Sequence, residues 1–188
     1  MKRISTDAEY LDSGKIVVDA DGIPVNLGYR GTGSPEGKVA APVGSAYTDT
    51  AATNGAIRWI KTSGTGNTGW RVEYGDTGRR DVTSLSTALF GSFTIQRIGS
   101  TIYIEAASSS FSMADGAKIF TLPVGFRPTG LAYTQTPPYW SNDVLRTVRI
   151  EGNGNVVVRG GLDTDLLNLG LAFLTNDPWP TPLPGTPA

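Results

Sequence analysis

The sequence predicts an all-β protein: a small glycine-rich β-module followed by an antiparallel β-sandwich or jelly-roll head. Two observations carry that class. Short runs with strand-like alternation recur along the 188 residues, and most are closed by turn chemistry drawn from 24 glycines and 12 prolines. No long segment with the 3.6-residue repeat of a helical crossover separates them.

Residues 1–30 read as an amino-terminal attachment arm. Lys15-Ile16-Val17-Val18-Asp19 and Ile23-Pro24-Val25-Asn26-Leu27 flank Ala20-Asp21-Gly22, and an Asp-Gly pair between two such runs predicts a hairpin. Asp19, Asp21 and Gly22 also match the opening of a calcium loop. No carboxylate follows at the later position such a loop needs, so the segment is read as a turn and no metal is expected.

Residues 31–78 form the glycine-rich module. Gly31, Gly33, Gly37, Gly44, Gly55, Gly64, Gly66 and Gly69 punctuate it, together with Pro35 and Pro42, leaving room only for strands over 45–49, 56–61 and 70–74. In the second, Ile57, Trp59 and Lys61 share one face and Ala56, Arg58 and Ile60 the other. Neither face is cleanly polar, so both are expected to meet protein. Gly75-Asp76-Thr77-Gly78 stops the third strand.

Residues 79–90 are a linker or a short helix. Asp81 is placed to cap a helix through Val82 to Leu89, with Val82, Leu85 and Leu89 on one side. The β-branched and serine content makes that helix marginal by itself, which leaves open a surface linker or a junction packed against neighbouring copies.

Residues 91–180 are the head. Strands are predicted over 92–98, 101–106, 117–121, 130–134, 144–151, 155–159 and 167–174, joined by short glycine-containing turns. Phe93, Ile95 and Arg97 alternate against Thr94, Gln96 and Ile98, and Ile102 and Ile104 against Tyr103 and Glu105. In Leu122-Pro123-Val124-Gly125-Phe126-Arg127-Pro128, Leu122 and Phe126 anchor into the core while the prolines and glycine enforce a sharp passage, with Arg127 bracing the loop against a carboxylate. Asp177-Pro178-Trp179-Pro180 reads as packed. The proline-rich tail, residues 181–188, is expected to be extended or disordered.

Composition removes several function classes. The chain has neither cysteine nor histidine, so a disulfide, a thiol nucleophile, a histidine- or cysteine-based zinc site and a Ser-His-Asp triad are all excluded. The formal net charge is −1, and Arg79-Arg80 sits beside Asp76 and Asp81; nucleic acid is not an expected partner. Met1-Lys2-Arg3 leads into a polar stretch and no run approaches the length of a bilayer span, so neither a secretory signal nor membrane insertion is expected.

The best recognition candidate is Tyr139, Trp140, Ser141, Asn142 and Asp143, following Pro137-Pro138. Two prolines limit the ordering cost, the aromatics offer flat area, and their neighbours offer hydrogen bonds, a combination suited to a sugar. Trp140 equally suits a subunit interface. Ser108-Ser109-Ser110-Phe111-Ser112 is a second, less distinctive loop. Glu73, Asp76 and Asp81, or Asp163 and Asp165 in a turn after Gly160-Gly161, are nominal acid-base pairs for glycoside hydrolysis; their spacing fixes no geometry, and no catalytic residue or cofactor is expected.

Two resemblances bear on function. Ser34-Pro35-Glu36-Gly37, Ala41-Pro42-Val43-Gly44-Ser45 followed by Tyr47, and the run from Thr62 to Trp70 reading TSGTGNTGW resemble a module of bacteriophage tail fibres, tail spikes and minor tail proteins. Gln96-Arg97-Ile98-Gly99, then the LPVGFRP run after Thr121, then Arg149-Ile150-Glu151-Gly152-Asn153-Gly154-Asn155 with Val156 to Val158, then Thr175-Asn176-Asp177-Pro178-Trp179-Pro180, taken in order, resemble the terminal head of phage receptor-binding proteins. The resemblance implies a virion appendage with a β-sandwich head, commonly a homotrimer; with it, residues 1–30 are expected to attach to other virion proteins, assembly is expected in the host cytoplasm, and residues 139–143 are the candidate contact for a host-surface glycan. A capsid decoration or head-fibre protein is the main alternative, and a polysaccharide-degrading tail spike a further one.

Overall fold

The computed structural model describes residues 16–18, 24–26, 28–86, 91–135, 147–160 and 162–188. The chain divides into two compact units, Met1–Gly75 and Asp76–Ala188. Among the described residues there is no α-helix; strands and turns dominate, with one-turn 3-10 helices at Thr53–Gly55 and Thr83–Leu85.

Unit 1 begins with β1 (Ile16–Val18) and β2 (Pro24–Asn26), antiparallel with Val17 opposite Val25. The Asp-Gly turn proposed between them, residues 20–22, lies outside the described residues. A four-stranded sheet follows in the order β3 (Tyr29–Gly31), β4 (Ala46–Asp49), β5 (Ala56–Lys61), β6 (Trp70–Gly75). β3 and β4 are parallel, whereas β5 is antiparallel to both neighbours. A parallel pair obliges the chain to return to the same end of the sheet. Residues 32–45 make that return, which is why so much turn chemistry sits there.

The strand alternation expected for β5 is broken by register shifts against β6, where Arg58 pairs with Tyr74 and Trp59 with Val72. Ala56, Trp59 and Lys61 are buried, while Ile57 and Arg58 are exposed. Within this chain, burial in β5 is thus concentrated on Ala56, Trp59 and Lys61. Arg58 turns outward and pairs with Glu73 at 2.7 Å, both about half exposed.

Unit 2 holds two sheets. One runs β14 (Leu162–Leu174), β9 (Thr101–Met113), β8 (Gly91–Ile98), β7 (Arg80–Asp81), β15 (Thr186–Pro187); the other runs β10 (Lys118–Thr121), β13 (Asn155–Arg159), β12 (Thr147–Ile150), β11 (Ala132–Gln135). All of their pairings are antiparallel. Phe93, Ile95, Ile102, Ile104 and Leu169 from the first sheet fill one hydrophobic cluster with Ile119, Phe120, Val148, Ile150, Val156 and Val158 from the second. The rings of Phe93 and Phe120 lie 4.7 Å apart within it. Each such side chain stabilises the fold by about 1.5–3 kcal/mol relative to exposure.

Three sequence expectations are corrected in this unit. The helix expected through Val82 to Leu89 is, over the described residues 82–86, only the 3-10 turn at Thr83–Leu85, because the Val82 amide donates to the Phe93 carbonyl, the Phe93 amide donates to the Thr83 hydroxyl, and Ser86 is extended; residues 87–89 lie outside the described residues. Backbone already committed to the sheet edge is not free to wind. Ser108 to Ser112 are part of β9, not a loop, and Asp163 and Asp165 are part of β14, not a turn, since these two strands continue pairing through register shifts, with Asp165 opposite Phe111. The tail is extended at its end, one of the two states expected of it, and there it adds a strand: Thr186 pairs with Asp81 and Pro187 with Arg80.

Candidate functional site

Tyr139, Trp140, Ser141, Asn142 and Asp143 lie outside the described residues. The strands that bracket them are described: β11 and β12 pair from Ala132 opposite Ile150 to Gln135 opposite Thr147. The segment thus departs from one end of this strand pair, while Ile150 at the other end leads into the Glu151–Asn155 turn.

That opposite end is where the head motifs converge, on Arg97. Arg97 is 6% exposed although it sits in β8. Its Nε donates to the Gly99 carbonyl at 2.9 Å, one terminal nitrogen to the carbonyls of Gly125 and Pro178 at 2.7 and 2.8 Å, and the other to the Asp177 carbonyl at 3.1 Å. The guanidinium also lies 4.9 Å from the centre of the Trp179 ring. Five donors in a rigid fork over an aromatic face suit arginine and no other residue.

Asp177 works from the other side. Its carboxylate accepts from the amides of Gly125 and Arg127 at 2.9 and 3.2 Å, and its own amide donates to the Thr175 hydroxyl. The expected Arg127–carboxylate brace is therefore made by main chain; the Arg127 side chain instead donates to the Leu122 carbonyl at 3.3 Å. Leu122 and Phe126 are fully buried, as expected of them. Gly154, at φ 90°, completes the corner: a Cβ there would stand 2.8 Å from the Leu122 carbonyl oxygen and 3.0 Å from the Arg127 side chain. All four ordered head motifs thus meet through buried and part-buried contacts.

The motifs of unit 1 are tied in the same manner. The Glu36 carboxylate accepts from the amides of Gly69 and Trp70 at 3.2 and 2.8 Å, and Asn67 exchanges hydrogen bonds with Gly37. The Trp70 indole donates to the Val39 carbonyl at 2.8 Å, and its ring makes T-shaped contacts with Tyr29 and Tyr47. Lys61, 1% exposed, lies 5.9 Å from the same ring and donates to the carbonyls of Gly66 and Thr68. Asp49 accepts from the amides of Gly33, Ala51 and Thr53, each at 2.9 Å. Burial pushes its carboxyl up, but these donors outweigh burial and hold it below the usual range. Burial, reinforced by the Asp49 charge, raises the Tyr47 hydroxyl.

Three of the carboxylates considered for acid-base chemistry have partners in the structure. Glu73 pairs with Arg58; Asp76 accepts from the Gly78 amide and the Gln96 side chain; Asp81 accepts from Thr83, whose hydroxyl and amide lower its pKa. A polar patch that sequence reasoning did not single out lies where Arg79 joins Thr94 and Glu105 beside Gln96 and Tyr103, around a hollow of about 40 Å³. That is room for a few waters. Its visible signal was the alternation of Thr94 and Gln96 with Phe93, Ile95 and Arg97, and of Tyr103 and Glu105 with Ile102 and Ile104. Compared with known proteins, the chain matches no family model, no curated protein and no solved structure.

Proposed function

We propose that the chain is a non-catalytic structural protein of a bacteriophage virion: an exposed appendage, tail fibre or minor tail protein, with a β-sandwich head borne on a homotrimer and engaging the host surface. The observation that carries this reading is the use made of the motifs. Residues of both fibre-like sequence modules, among them Glu36, Trp70, Arg97, Gly125 and Pro178, take part in the two hydrogen-bonded knots centred on Trp70 and Arg97, which supports a scaffold role for these motifs. A scaffold braced at one end leaves the other available to carry recognition, and Gln135 and Thr147, which bracket residues 136–146 in the chain, are paired at that other end. Weak contacts made by several identical heads then add through effective concentration.

Imaging intact particles with a labelled antibody tests the placement. Label on the tail is expected; label confined to capsid axes rejects the tail assignment and favours a decoration protein. Trp140→Ala is expected to weaken cell binding by about tenfold or more with the oligomer intact. Unchanged binding removes this segment as the contact.

A further inference from the structure

Residues 184–188 are held unlike the rest of unit 2. Thr186 and Pro187 are both exposed, and the segment is retained through backbone. Arg80 donates to the carbonyls of Pro184 and Gly185 at 3.0 and 2.8 Å, and the Ala188 amide donates to the Arg79 carbonyl at 3.0 Å. Upstream, Trp179 and Pro180 are buried. The anchor and the segment beyond it are therefore energetically separate: one rests on burial, the other on a handful of exposed or part-buried hydrogen bonds, each worth about 0.5–1.5 kcal/mol net.

The acceptor surface is selective. Gly185 has φ 58°, and a Cβ there would collide with the Asp81 carbonyl, so the groove admits only glycine at that position. Pro187 has no amide to donate, as suits a strand at a sheet edge. We propose that the β7 edge with the Arg80 guanidinium is a strand-docking groove that takes residues 184–188 from a second copy of the chain as well as from its own. The contacts are the same in either case, so exchange is decided by effective concentration and reach. Residues 181–185 extended span at most about 17 Å, which limits exchange to copies whose β7 edge lies that close to Pro180. The groove and its ligand stand whether or not the virion reading does.

The absence of cysteine makes the test specific. Asp81→Cys and Thr186→Cys, facing positions in the register, are made in separate full-length chains, mixed and oxidised. Disulfide-linked dimer is expected to rise with protein concentration, to exceed by about tenfold the yield with an exposed control such as Thr65→Cys, and to vanish when Gly185→Val is added to the Thr186→Cys chain. A second pair, Arg79→Cys with Ala188→Cys, reads the same contact if the first does not fold. Dimer no more abundant than the control, dimer indifferent to Gly185→Val, or no dimer at millimolar protein while the double variant closes within one chain would each overturn the proposal.

Discussion

Lys61 in unit 1 and Arg97 in unit 2 are both nearly inaccessible cations lying over a tryptophan and donating to main-chain carbonyls, yet they brace their surroundings differently. The acceptors of Lys61, Gly66 and Thr68, belong to an exposed loop only a few residues downstream. The acceptors of Arg97 come from three separate stretches of chain, one of them the buried Gly125. A cation that pins a local loop can be replaced by water at modest cost. One that joins distant segments cannot, because water does not reach all the carbonyls it leaves behind.

The sharpest way to break this comparison is to remove each cation. Arg97→Met is expected to destabilise unit 2 by about 3–5 kcal/mol in urea unfolding followed by segment-resolved hydrogen exchange, and Arg97→Lys to recover less than half, since an ammonium lacks the planar fork. Gly154→Ala adds a strained φ and a clash with Leu122 in the same corner; about 2–3 kcal/mol is expected, against about 1 kcal/mol for Gly37→Ala in unit 1, where the added methyl meets open space.

Asp49→Asn sharpens the picture for unit 1. Its folded pKa is depressed, so its stabilisation is complete above the unfolded value of about 3.9 and is lost as pH falls through the folded value. The variant is expected to lose about 2 kcal/mol at pH 7 and to flatten the acid limb of a stability-against-pH profile for residues 28–75. The raised Tyr47 acts at the other extreme, where its contribution is lost as pH rises beyond about 10. Lys61→Met is expected to show the smallest change, about 1 kcal/mol, because isosteric burial offsets the lost hydrogen bonds. Losses of equal size for Lys61→Met and Arg97→Met would abolish the distinction.

Much of the strand pattern was legible. β5 and β13 fall where alternation and turn residues put them, and the Gly-Asn-Gly turn between β12 and β13 closes a hairpin as expected. Legibility failed where pairing was long-range. The serine-rich stretch at 108–112 lacks local strand character and is a strand because β14 runs beside it; the proline-rich tail is a strand because β7 offers an edge and Arg80 two hydrogen bonds. The parallel pairing of β3 with β4 likewise has no signature within either strand. As for the candidate site, the words LPVGFRP and NDPWP were readable as rigid, but nothing local joins them to Arg97, 28 and 80 residues distant in two of its contacts.

By itself the sequence determined that this protein is built of strands, without imidazole or thiol chemistry, and which residues must sit in tight turns, because backbone sterics and residue chemistry act over a few positions. Tertiary structure alone decided which strands are neighbours, that Arg97 and Trp70 are the points where scattered motifs are tied, and that an apparently unstructured tail completes a sheet. Those outcomes depend on burial and on hydrogen-bond partners supplied from far along the chain, and local pattern carries no record of either.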